Sequence, residues 1–194
     1  MPELLVNFWA FGALAAVLVV ASVTDVRNGR IYNWLTYPAI AAGLIGHTLV
    51  SGVGSPTGHV ADLGLIGSAL GMAVGGALLL AWLAGGIGGG DAKLMVAVGA
   101  LTGWRFTLEA MFWGFVVAAV MAVAVMLHRK VARRTLARIG RFLVLLFTPG
   151  RPASPATEDS PKIPFGLALC IGSGVALVLA LFRSPGAGSL ILGI

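Results

Sequence analysis

The sequence predicts an all-α, polytopic integral membrane protein, and three observations carry that prediction. The 194 residues are 58% hydrophobic and only 10% charged, against about 25% charged in an ordinary soluble domain. Apolar runs long enough to cross a bilayer recur along the whole chain. The basic residues cluster between alternate runs, as positive-inside sorting requires. A single cysteine excludes a disulfide framework and a tetracysteine zinc site. The net charge of +6 reports membrane orientation here before it reports nucleic acid, so no nucleic-acid partner is expected.

The first span is read at 4–24. Its 21 residues make a helix of roughly 31 Å. The preceding residues hold Glu3 and no Lys or Arg, the wrong charge for a cleaved signal peptide, so the span is expected to be retained. The second runs over 35–50, with Pro38 placed in its first turn. The third, 63–83, carries Gly67, Gly71 and Gly75 at four-residue spacing, a smooth face suited to internal helix packing. A fourth apolar piece over 90–103 is too short to cross alone, so it is expected to sink among its neighbours. The fifth and sixth spans are read at 108–127 and 163–182.

Eleven of the thirteen Lys and Arg residues fall in the first, third and fifth connections, leaving Arg105 and Arg183 on the other side. Six spans with both termini outside follow, within one membrane domain over 1–194. Tyr32, Trp34 and Tyr37 are expected at the inner interface, and Trp104 and Phe106 at the outer one. The cytoplasmic loop 128–162 opens with basic residues, among them Arg134, Arg138 and Arg141, interleaved with apolar ones. That pattern predicts an amphipathic helix on anionic lipid.

Seven acids are present. The topology brings two of them, Asp25 and Asp91, to the same membrane face from different helices. Asp91 ahead of a helix is a natural cap, and Asp25 is a plausible interfacial partner of Arg27 or Arg30. The stretch GGIGGGDAKL, residues 85–94, weighs against capping alone, because a cap needs one unusual residue rather than five glycines. Bare backbone at membrane depth belongs where protein buries it or water reaches it. Two carboxylates a few ångströms apart cannot both ionise easily, so one keeps its proton. Such a pair is equipped for peptide hydrolysis, one member drawing a proton from water and the other polarising the carbonyl. No GxSxG or HExxH motif competes, Cys170 reads as packing, and no metal site or cofactor is expected. His47, His59 and Asp62 gather only loosely.

The segment GGGDAKL, with Gly88, Gly90 and Asp91, resembles the GxGD motif of membrane aspartic peptidases. TDVRNGRIYNWLT, around Asp25, resembles the first catalytic segment of bacterial type IV prepilin peptidases. KIPFGLAL, with Pro164 and Gly166, is similar to the Pro-Phe-Gly segment leading into that family's last helix. The resemblance implies an aspartic endopeptidase that removes the basic leader of prepilins at the cytoplasmic face of the bacterial inner membrane, with Asp25 and Asp91 as its catalytic pair. The missing tetracysteine region implies a short form without N-methyltransferase activity, like that found with Flp or tight-adherence pili. Lys93 is expected to point away from Asp91 and snorkel toward the interface, and Pro164 and Gly166 to shape the start of the last helix. Presenilin-like or preflagellin-type GxGD proteases are the rivals within the class. A small proton-coupled transporter is the rival outside it, though neither midplane charges nor internal repeats support it.

Overall fold

The structure, a computed structural model, describes residues 2–54, 63–128 and 164–183. The described residues form five helices: α1 Pro2–Asn28, α2 Asn33–Ser51, α3 Gly64–Leu83, α4 Gly89–His128 and α5 Phe165–Arg183. Contacts divide the chain into two compact units, 1–117 with 164–194, and 118–163. The functional geometry below lies in the first. Of the second, only the end of α4 is described. The expected interfacial segment with Arg134, Arg138 and Arg141 lies outside the described residues, as do His59 and Asp62.

Four helices are long and apolar enough to cross a membrane, Trp9–Asn28, Gly64–Leu83, Gly89–His128 and Phe165–Arg183. The chain is therefore a multi-pass membrane protein. Helix α2 is not among the four. Its first two turns carry Asn33, Thr36 and Tyr37 and its far end His47, which dilute the apolar run. It also begins two residues before the expected start, so Pro38 sits in the second turn and leaves the Trp34 carbonyl without that helical donor.

Helix α4 is continuous only in name. Gly103, at φ 78° and ψ 175°, divides it into arms 89–102 and 104–128, at the boundary expected between the fourth and fifth apolar pieces. The first arm would be about 21 Å long, and its residues Ala92, Leu94, Met95, Ala97, Val98, Ala100 and Leu101 are all buried. The second arm turns back. Phe106 near its start meets Phe11 of α1, whereas Phe115 further along meets Phe165 at the start of α5.

Helix α1 packs on α2 and α5, and α2 packs on α3. The glycine face of α3 is internal, as expected. A Cβ on Gly71 would run into the Gly99 carbonyl of α4, and one on Gly75 into the Met95 carbonyl. Backbone-to-backbone approach of this kind recovers close packing where no hydrophobic force drives helices together in lipid. Phe106 is a correction. It is 7% exposed, against Phe11, rather than an interfacial aromatic, because the break at Gly103 turns it inward. Tyr32, Trp34 and Tyr37 are exposed.

Candidate active site

Three helix ends meet at one place: the last turn of α1, the first turn of the first arm of α4, and the first turn of α5. Each brings one of the residues singled out in the sequence. Helix α1 continues to Asn28, so Asp25 stands inside its last turn rather than beyond it. Asp25 is buried, at 7% exposure. Asp91 is third in its helix and half-buried.

The point where they converge is Gly166. A Cβ on this residue would lie 2.7 Å from Asp91 Oδ1 and 2.9 Å from Asp25 Oδ2. The two oxygens are therefore at most about 5.6 Å apart, the sum of those distances. Any side chain at 166 would push on both carboxylates, so glycine here bears on the pair and not only on the start of a helix. The same place would bring that Cβ within 2.9 Å of Ile31 Cδ1. Ile31, buried in the connection between α1 and α2, closes the pair on one side.

Each carboxylate also has a backbone partner. The Leu167 N–H donates to Asp25 Oδ2 at 2.8 Å, across 142 residues of sequence. The Gly88 N–H donates to the Asp91 carboxylate, the reach-back of a third-position acid in a capping box. Capping and pairing are thus not alternatives at Asp91. The acid caps its own helix and stands beside Asp25. The glycine run now has a local account. Gly88 supplies the capping amide, and Gly90 lets the helix lie on the α1–α2 connection, where a Cβ would come within 2.9 Å of the Ile31 carbonyl oxygen.

Lys93 has its contacts on α2. Its Nζ donates to Asn33 Oδ1 at 3.0 Å and lies 5.2 Å from the centre of the Tyr37 ring. It ties the start of α4 to the start of α2. Pro164 is exposed just before α5, and its carbonyl accepts the Ala168 N–H. Cys170 is buried one turn into α5, hydrogen-bonded to Ser22 and part of the core. Among the described residues no cluster of three His, Cys, Asp or Glu side chains is placed to hold a metal.

The contact of Gly166 and the Leu167 amide with the acids is what sequence reasoning missed. The Pro-Phe-Gly segment marked the place, but only as the start of a helix.

No curated protein and no solved structure matches the chain. A family model does, over residues 12–123, that of the type IV leader peptidase family. The match takes in both Asp25 and Asp91 and covers more than half of the chain. α5 lies beyond it. The family implies a peptidase, and the chain belongs to the type IV leader peptidase family.

Proposed function

We propose that the chain is an aspartic endopeptidase that cuts the basic leader from type IV prepilins, of the Flp type, with Asp25 and Asp91 as the working pair. The observation that carries this reading is the convergence of both carboxylates on Gly166. Two acids that share a site within about 6 Å are poised for opposite protonation states. The ionised one takes a proton from water as the water oxygen attacks the scissile carbonyl carbon. The protonated one gives its proton to the carbonyl oxygen. The tetrahedral species then collapses, the C–N bond breaks, and a proton passes to the departing nitrogen.

The charge pattern of the sequence supports six spans with both termini outside. On that reading the short first arm of α4 and the polar-ended α2 complete their crossings among neighbouring helices. The pair then lies at the cytoplasmic face of the inner membrane, where a basic leader meets a hydrophobic helix. The test is to co-express the chain with an Flp-type prepilin and compare wild type with Asp25→Asn and Asp91→Asn at equal membrane insertion. Loss of leader release by about 10²–10⁴-fold in both variants is expected. Wild-type release by either would remove that acid from the chemistry.

A further inference from the structure

We propose that the first turn of α5 is a third component of the site, and that the Leu167 amide positions Asp25 for reaction. This rests on the reading of Asp25 and Asp91 as the catalytic pair. Among the described residues the Leu167 N–H has one partner, Asp25 Oδ2 at 2.8 Å. The first donors of a helix have no partner within it, and the regular ladder of α5 starts one residue later, with the Ala168 N–H on the Pro164 carbonyl. The amide therefore does nothing for its own helix and is spent on a side chain of α1.

Its effect is geometric. A carboxylate on a long-range partner swings about two side-chain torsions unless something fixes it. Here Gly166 limits the approach of Asp25 Oδ2 from one side, and the neighbouring amide holds the same oxygen from α5. With Oδ2 engaged by the amide, Oδ1 is the oxygen left to face a water. Helix α5 also points its amino end, the positive end of its dipole, at a place holding two acids. Misplacing a reacting group by about 1 Å costs on the order of 10²-fold in rate. The Leu167 amide is therefore a positioning group, acting through Asp25 and not touching substrate.

The position allows an unusually clean test. Proline is tolerated in the first turn of a helix, where its missing N–H breaks no helical bond. Leu167→Pro thus removes this amide and sets a ring carbon in its place, Leu167→Ala keeps the amide while removing the side chain, and an ester at 167 removes the N–H without a ring. Leader cleavage should be measured for both in membranes, with kcat and KM separated, beside wild type and Asp25→Asn. The expected result is a kcat about 10²-fold lower for Leu167→Pro with KM unchanged, and near wild-type kcat for Leu167→Ala. If Leu167→Pro fails to insert, replacing residue 167 by leucic acid swaps the N–H for an ester oxygen without a ring, and the same loss in kcat is expected. Wild-type kcat in the proline or ester variant, while Asp25→Asn is inactive, overturns the positioning role and leaves the catalytic pair standing. An equal fall in Leu167→Ala assigns the effect to side-chain packing and also overturns it. Active Asp25→Asn overturns the reading of the pair itself.

Discussion

The two ends of the helix bundle use the same device for opposite purposes. At one end Asp25 of α1 takes the amide of Leu167, and at the other His47 of α2 gives Nε2–H to the Leu101 carbonyl at 2.8 Å. Each is a buried polar side chain, 7% and 1% exposed, bound to a backbone group near a helix end or break on another segment. At the histidine end the break at Gly103 takes the carbonyls of the preceding turn out of the regular ladder. His47 satisfies one of them and packs on Trp9 with ring centres 4.8 Å apart. At His47 one donor meets one acceptor, whereas the neighbouring Trp9 Nε1 is buried with no partner among the described residues. At the aspartate end two carboxylates converge with more lone pairs than nearby donors, and Asp91 stays half-buried. The His47 bond fixes a packed contact, whereas the converging carboxylates keep acceptor capacity that a reaction can use.

Substitutions at the two ends should therefore separate activity from stability. The largest effect is expected at Gly166→Ala. Its methyl group would stand 2.7 and 2.9 Å from the two acids, so leader cleavage should fall on the order of 10²-fold. The melting temperature in detergent should barely move. Unchanged cleavage would mean the carboxylates tolerate displacement, and the contrast would collapse. His47→Ala should do the reverse. Leaving the Leu101 carbonyl unsatisfied in the core costs about 1–3 kcal/mol, read as a lower unfolding midpoint, while cleavage per folded molecule stays the same. A fall in kcat there would show the two ends to be coupled. Lys93→Ala is smaller. It removes an exposed hydrogen bond and a cation–π contact, together about 0.5–1 kcal/mol, and should leave cleavage within a few-fold. A larger loss of activity would place Lys93 at the aspartate end in function as well as in space.

The segment with Arg134, Arg138 and Arg141 extends the contrast to the membrane surface. If its proposed role is to hold the catalytic face on anionic lipid, replacing all three by glutamine should weaken cleavage more in anionic than in neutral vesicles. Equal effects in both would exclude that role.

Much of the aspartate end was legible in the sequence. Hydropathy placed Asp25 and Asp91 at the ends of separate apolar runs, and the charge pattern put those ends on one face. The breaks in glycine use marked the second acid. The sunken fourth piece and the internal glycine face of α3 followed from length and spacing. What periodicity cannot give is the partner of a face. The approach of Gly166 to both acids depends on α5 returning to α1 after a long intervening segment, and nothing local to KIPFGLAL encodes that distance. Phe106 misled for a related reason. Next to Trp104 it has the composition of an interfacial belt, but Gly103 reverses the chain and aims it at Phe11. The pairing of His47 with Leu101 was hidden likewise, since the carbonyl is free only because of that break.

The central claim is that Asp25 and Asp91 act as one unit, and a double-substitution cycle tests it most directly. Leader cleavage would be measured for Asp25→Asn, Asp91→Asn and both together, with insertion matched. Groups that act as a unit are strongly non-additive, so the double variant should be about as slow as either single one. Losses that multiply, or a single variant that cleaves at the wild-type rate, would contradict the pair.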